Sequence, residues 1–130
     1  MNIDYKTLMD KAKEASQNSY SPFSRFAVGA AVLTSTGKIF LGCNVENSSF
    51  GLTNCAERTA IFKAVSEGER ELVAVAIYSP NSDSCYPCGA CRQVLYEFQG
   101  DEQEIEVITE NLGNLEIKKL SYFLPNGFRI

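Results

Sequence analysis

Three of the chain's five cysteines lie in two short motifs, and the chain has no histidine. The first motif is Cys55-Ala56-Glu57, and the second is Pro87-Cys88-Gly89-Ala90-Cys91. Zinc binds cysteine sulfur, and a catalytic zinc site uses three protein ligands and leaves one position for water. A glutamate two residues after the first cysteine would carry protons for such a water. The pattern therefore predicts a catalytic zinc site with one ion per chain, held by Cys55, Cys88 and Cys91, with Glu57 as the catalytic residue.

Arg58 follows the first motif, one helical turn after Cys55. Three thiolates on one divalent ion carry a net negative charge. We expect Arg58 to donate hydrogen bonds to the sulfurs and withdraw part of that charge. Cys55 and Cys88 are predicted to open two helices, where the helix dipole and free N–H groups lower the pKa of a thiol.

Two other metal sites are compatible with these cysteines. Cys43 or Cys85 could complete a closed structural site of four sulfurs. The run Cys85-x-x-Cys88-x-x-Cys91 could instead hold an iron–sulfur cluster, but the ferredoxin pattern needs a further cysteine soon afterwards, and none follows. Glu57 beside the cysteines favours the catalytic site, because a structural zinc has no use for a nearby proton carrier.

The composition indicates one soluble globular domain covering residues 1–130, with 45% hydrophobic and 22% charged residues. No apolar run is long enough to cross a bilayer and no signal peptide is visible, so we expect a cytoplasmic protein without a membrane partner. The net charge is −4, and lysine and arginine form no cluster. Nucleic-acid binding relies on concentrated positive charge, so a small uncharged substrate is expected instead.

Hydrophobic patterns predict alternating helices and strands along the chain. Thr53 or Asn54 is expected to cap the second helix, and Gly68 to end it. The predicted helices cover residues 3–17, 55–67 and 88–98, and the predicted strands cover 26–33, 38–43, 71–78, 105–109 and 115–118.

The order strand, helix, strand, helix, strand between residues 38 and 109 describes two successive crossover units. Such units favour parallel strands and right-handed connections. Both helices would then begin at one edge of the sheet, where ligands bind in α/β proteins. We therefore expect the two cysteine motifs to meet in space.

At these motifs the chain resembles the zinc-dependent nucleobase and nucleoside deaminases. The cysteine-only version is similar to the small cytidine deaminases that act on free nucleosides. The resemblance covers roughly residues 5–128, and its characteristic segments are residues 20–31, 44–47, 52–60 and 87–95. It implies an α/β fold of three layers, α/β/α, around a mixed, mostly parallel five-stranded sheet.

The resemblance also implies a reaction, the hydrolytic deamination of cytidine and 2'-deoxycytidine with release of ammonia, in pyrimidine salvage. Zinc activates water for attack on C4 of cytosine, and Glu57 moves the protons. The implied substrate contacts are the N–H of Ala56 to the pyrimidine O2, Asn44 and Glu46 to the ribose, and Phe26 to the base.

Small members of this family form homotetramers in which neighbouring subunits complete each active site. The resemblance assigns such contacts to Phe50 and Phe128. Many relatives carry tyrosine where Phe50 stands, and its missing hydroxyl removes one hydrogen bond to the sugar. Ala27 replaces a frequent proline, and we expect this difference to affect only backbone stiffness.

Three further functions compete with this prediction. A deaminase of another cytosine-bearing small molecule, such as blasticidin S, would share the cysteine motifs but lack the segment 44–54 that precedes them here. Polynucleotide editing is disfavoured by the absent histidine and the acidic balance. A non-catalytic zinc-ribbon-like module would need Cys43 or Cys85 to close its site.

Overall fold

A computed structural model describes residues 1–130 as a five-stranded sheet with helices on both faces. A single 3₁₀ turn, Phe50–Leu52, precedes the second helix. The helices are α1 (Tyr5–Ser16), α2 (Ala56–Ser66), α3 (Gly89–Glu97) and α4 (Leu120–Phe123), and the strands are β1 (Gly29–Thr34), β2 (Ile39–Cys43), β3 (Leu72–Tyr78), β4 (Glu106–Asn111) and β5 (Asn114–Lys119).

The strands lie in the order β2-β1-β3-β4-β5. β2, β3 and β4 run in the same direction, as the two crossover units require, whereas β1 and β5 run against their neighbours. The mixed five-stranded sheet is confirmed. The expectation of mostly parallel pairing is wrong, because β3–β4 is the one parallel pair.

Short connections explain the antiparallel pairs. β1 and β2 form the predicted hairpin, and β1 then inserts between β2 and β3. Leu112 and Gly113 alone join β4 to β5, and both have positive φ, which suits a tight hairpin turn. Two residues cannot carry the chain back to begin a parallel strand.

Two hydrophobic cores lie on opposite faces of the sheet. On one face α1 packs Leu8 and Met9 against residues of β1, β3 and β4. On the other face Ile61 of α2 and Leu95 of α3 pack against alternate residues of the same strands. These two cores establish the α/β/α layers. No helix combines the length and the apolar character needed to span a bilayer.

The backbone of α2 lies directly on β2 at Gly42. A Cβ at this position would overlap the carbonyl oxygen of Ala56 and the amide nitrogen of Ala60. Glycine therefore permits the close approach of strand and helix, and this approach fixes where α2 begins.

The helix ends differ in part from prediction. Cys55, not Thr53 or Asn54, is the N-cap of α2, because the backbone of Asn54 instead pairs with Val45 in an isolated β-bridge. Gly68 ends the helix as predicted, with φ of 101°. The first strand was predicted from residue 26 but begins at Gly29. Side chains bind most backbone groups of residues 26–28, and only the carbonyl of Val28 pairs with backbone, at the N–H of Asn44.

Candidate metal centre and substrate pocket

Cys55, Cys88 and Cys91 meet at one edge of the sheet. Cys55 is the N-cap of α2 and Cys88 is the N-cap of α3, while Cys91 lies in the first turn of α3. Their sulfur atoms all lie within 4.8 Å of one another, and those of Cys55 and Cys88 are 3.7 Å apart. The meeting follows from topology, because α2 and α3 follow two strands that run in the same direction.

The spacing of the sulfurs fits zinc. Tetrahedral coordination with Zn–S bonds of about 2.3 Å places two sulfurs roughly 3.8 Å apart. The 3.7 Å between Cys55 and Cys88 matches that value. Three soft thiolate donors also select zinc over the hard cations calcium and magnesium. Cys55, Cys88 and Cys91 would hold the ion.

The other two cysteines lie outside this cluster. The thiol of Cys43 donates to the carbonyl of Asn18 at 3.4 Å. Cys85 packs against the core, and burial raises the pKa of its thiol to about 12. The structure thus contradicts both a closed site of four sulfurs and an iron–sulfur cluster built on the run from Cys85.

Hydrogen bonds polarise the three thiols. A hydrogen bond with Cys91 and one from Arg58 lower the pKa of Cys55 to about 5. The hydrogen bond with Cys55 correspondingly raises the pKa of Cys91. Arg58 donates from its Nη2 to the sulfur of Cys55 at 3.2 Å, so this arginine contacts the cluster where the sequence placed it.

Glu57 is buried beside the sulfurs, and only 4% of its surface is exposed. Burial is the main cause that raises the pKa of its carboxyl to about 7, with a smaller contribution from the negative charge of Cys55. Burying a carboxyl next to three thiols costs folding free energy. Ionisable groups with perturbed pKa values cluster at functional sites, so this burial favours a catalytic role over a structural one.

Glu46 lines a surface pocket of about 250 Å³, whose wall also includes Thr53, two residues before Cys55. Its carboxylate accepts hydrogen bonds from the backbone N–H groups of Phe23 and Ser24, at 2.9 and 3.1 Å, and from the hydroxyl of Ser24. The Ser24 hydroxyl is the main cause that holds the pKa of Glu46 below its usual range. Phe50 and Thr53 complete the pocket wall.

Asn44 is buried, and its side chain bonds the protein's own backbone. Its Nδ2 donates to the carbonyl of Phe26 at 2.8 Å, and its Oδ1 accepts from the N–H of Val28 at 3.0 Å and from the hydroxyl of Ser19. Asn44 therefore holds the segment that carries Phe26. Its predicted contact with a sugar stays a prediction.

A backbone pair joins the pocket to the metal centre. Val45 and Asn54 exchange two hydrogen bonds of 2.9 Å. Val45 stands between Asn44 and Glu46, and Asn54 immediately precedes Cys55. The predicted sugar-binding segment is thereby fixed beside the first metal ligand.

The remaining predicted residues occupy separate positions. Ala56 is the first residue of α2 and is fully buried. The ring of Phe26 is 37% exposed. The ring of Phe50 contacts that of Phe23 in its own chain, with ring centroids 5.7 Å apart and the rings tilted by 59°, and Phe50 is largely exposed. Phe128 is also largely exposed, and its carbonyl accepts a hydrogen bond from Gln93 of α3.

Sequence reasoning missed three polar residues that organise the pocket. Ser24 holds Glu46, Ser19 holds Asn44, and Asn81 accepts the N–H of Ala27 at 2.8 Å. The signal for Ser24 was its place in the characteristic segment 20–31, whereas Ser19 lies just before that segment. Asn81 lies in a turn-rich stretch and gave no signal.

Comparison with known proteins gives a consistent picture. Residues 2–106 match the family model of the cytidine and deoxycytidylate deaminase zinc-binding region. The cytidine deaminase of Sporosarcina psychrophila is 43% identical over 126 residues, which are 97% of this chain and 92% of that protein. That of Mycobacterium tuberculosis strain H37Rv is 43% identical over 129 residues, or 98% and 91%. The crystal structure of the cytidine deaminase from Burkholderia pseudomallei superposes with a TM-score of 0.88 and 42% identity, covering 97% of this chain and all of that one.

Proposed function

The chain belongs to the cytidine and deoxycytidylate deaminase family, and from this membership we propose that it hydrolyses cytidine and 2'-deoxycytidine to uridine and 2'-deoxyuridine, with release of ammonia. The observation that carries the proposal is the gathering of three sulfurs around the buried Glu57 at the start of α2. A structural zinc site would gain nothing from that carboxyl.

The protein's contribution to the chemistry is proton transfer and orientation. Zinc held by the three cysteines would supply a Lewis acid that makes water a nucleophile at neutral pH. Glu57 takes one proton from that water and delivers it to ring N3 as the water oxygen bonds C4. It then takes the second proton from the new C4 hydroxyl and delivers it to N4, so that the C4–N4 bond breaks, ammonia leaves and the C4 carbonyl forms. Protonation of N3 makes C4 electrophilic, so one carboxylate must reach both the water and the ring.

Substrate orientation comes from the elements that flank Glu57. Ala56 is the first residue of α2, so its N–H lacks an intrahelical acceptor and can donate to the pyrimidine O2. Glu46 and Asn44 would bind the ribose hydroxyls. The carboxylate of Glu46 accepts three hydrogen bonds, from Phe23 and Ser24, and a carboxylate has about four acceptor sites, so one remains for a sugar hydroxyl. Phe26 packs on the base.

We also propose a cytoplasmic homotetramer that acts in pyrimidine salvage, with one zinc ion per subunit. Phe50 and Phe128 would reach into neighbouring active sites. In support, both rings are at least 70% exposed, and exposed aromatic side chains commonly mark protein interfaces. The net charge of −4 favours a neutral nucleoside over a polynucleotide.

The direct test combines metal analysis with ultraviolet-monitored conversion of cytidine to uridine. We expect about one zinc per chain, and turnover of both cytidine and 2'-deoxycytidine. Blasticidin S serves as the competing substrate in the same assay. A higher kcat/KM for blasticidin S, or zinc-loaded protein that leaves cytidine unchanged, would refute the proposal.

A further inference from the structure

The backbone of residues 26–28 is held by two asparagine side chains from different parts of the fold. Asn44 accepts from the N–H of Val28 and donates to the carbonyl of Phe26. Asn81 accepts from the N–H of Ala27, which lies between them, at 2.8 Å. The three groups that the asparagines bind are the N–H groups of Ala27 and Val28 and the carbonyl of Phe26. All three belong to the segment that presents the ring of Phe26.

We infer that Asn81 is a positioning residue, which holds Phe26 in the place where it packs against the base of the substrate. This inference rests on the proposed function, because it needs Phe26 to contact a cytosine ring. The side chain of Asn81 bonds the backbone of Ala27, so Asn81 acts through Phe26 and not on the substrate.

Core packing alone does not place the ring of Phe26. The ring is 37% exposed, and Phe26 precedes the first residue of β1. Its position therefore depends on how firmly the backbone on either side is held. Asn44 binds that backbone from the segment after β2, and Asn81 binds it from the loop after β3. The hydroxyl of Ser24 also accepts from the N–H of Phe26, and Asn81 is the support that holds the N–H of Ala27.

Asn81 is itself oriented by a buried anchor. Its backbone N–H donates at 3.1 Å to the hydroxyl of Ser79, a side chain that is only 2% exposed. The same loop continues to Cys88, the N-cap of α3. One short segment thus connects the support of Phe26 with Cys88 of the sulfur cluster.

This hydrogen bond gives Ala27 a role beyond backbone stiffness, because it uses an N–H that proline lacks. One ordinary hydrogen bond corresponds to roughly a two- to tenfold change in an equilibrium constant. We expect Asn81→Ala to raise KM for cytidine by about that factor with little change in kcat, since Phe26 contacts the base in the ground state and in the transition state alike.

The test is a double-mutant cycle between positions 27 and 81, measured on zinc-loaded protein. Asn81→Ala should raise KM, and Asn81→Asp, which retains an oxygen acceptor, should restore most of the loss. In the Ala27→Pro background, where the donor is absent, Asn81→Ala should change KM no further. Ser82→Ala is the matched control, because its hydroxyl bonds only within the same loop, and it should leave KM unchanged.

Amide hydrogen exchange gives a readout that does not depend on activity. In Asn81→Ala the N–H of Ala27 should exchange several-fold faster, while that of Val28, which Asn44 binds, should stay protected. Unchanged exchange at Ala27 together with unchanged KM would overturn the positioning role while the deaminase activity stands. A wild-type protein that does not turn over cytidine would instead refute the proposed function and, with it, the catalytic part of this inference.

Discussion

Arg58 donates a hydrogen bond to the sulfur of Cys55 at 3.2 Å, from one turn further along the same helix. The Nε of Arg58 is buried and has no hydrogen-bond partner in the chain. The guanidinium thus bonds the sulfur through Nη2 while its Nε–H is left without an acceptor in the chain. This arrangement offsets negative charge where three thiolates gather.

Arg58→Ala should weaken the metal centre. Removing a partner of a ligand typically lowers metal affinity or activity by about 10–100-fold. Competition with a zinc chelator measures the affinity, and cytidine turnover measures the activity. Arg70→Ala, in the connection after α2, removes an arginine that binds only backbone carbonyls and should change neither. Equal zinc affinity and activity in both variants would contradict the role of Arg58.

Glu57→Ala should retain zinc and lose deamination. General acid–base catalysis is commonly worth about 10²–10⁴-fold in rate. Metal analysis and steady-state rates on cytidine check the two halves of this expectation. Cys85→Ala is the control, because that thiol lies outside the cluster, and it should keep most activity. A Glu57→Ala protein nearly as fast as the wild type would remove the proposed mechanism.

Each of the three clustered cysteines should be needed for metal, and the other two should not. Cys88→Ser should reduce bound zinc well below one ion per chain, because it leaves two sulfur ligands and a weaker hydroxyl donor. Cys43→Ser should keep the wild-type zinc content. Both contents are measured by atomic spectrometry after dialysis. Full zinc occupancy in Cys88→Ser would show that the ion binds elsewhere.

The metal centre was predictable because its residues lie close together in sequence within two short motifs. Cys88 and Cys91 lie on one helical turn, and Cys55 with Glu57 opens another, so hydrophobic periodicity and strand order sufficed to bring them together. The direction of β2, β3 and β4 followed from the same reasoning. These features depend on short-range signals and on one topological rule.

What the sequence did not reveal depends on long-range pairing. β1 lies between β2 and β3 in the sheet. Which strands pair with one another is not encoded in the local sequence pattern of a strand. The bonds from the side chain of Asn44 to backbone 16 and 18 residues earlier had no local signal either. Asn54 looked like a helix cap, but its bridge to Val45 leaves that position to Cys55.

Glu46→Gln should change how stability depends on pH. Hydrogen bonds from Ser24 and Phe23 hold the pKa of Glu46 below its usual range in the folded protein. The charged form is thus stabilised by folding, and this stabilisation is fully present above the unfolded pKa of about 4.3. It is lost as pH falls through the lower folded pKa.

Urea unfolding of Glu46→Gln and wild type between pH 7 and pH 3 checks this expectation. The difference in unfolding free energy should be constant at the upper end of the series and shrink below the ordinary pKa of a glutamate. A difference that stays constant down to pH 3 would show that the charge of Glu46 is not stabilised by its contacts.

Gly42→Ala should destabilise the protein and displace the catalytic helix. The added methyl would overlap the backbone of Ala56 and Ala60, and such overpacking costs about 1–3 kcal/mol. Denaturant unfolding measures the loss, and kcat should fall as well because α2 carries Glu57. Gly51→Ala is the matched control for stability, since no atom lies within 4 Å of its added carbon. Equal stability of the two variants would argue against tight strand–helix packing.

The origin of the sulfur cluster in two helices has a mechanical consequence. Cys55 and Cys88 are 33 positions apart in sequence, so any ion that binds both closes a loop in the chain, as a disulfide does. Such a cross-link lowers the conformational entropy of the unfolded chain and joins the two crossover units at the edge of the sheet where α2 and α3 begin. Removing the ion with a chelator should therefore lower the stability of this edge of the sheet as well as abolish deamination.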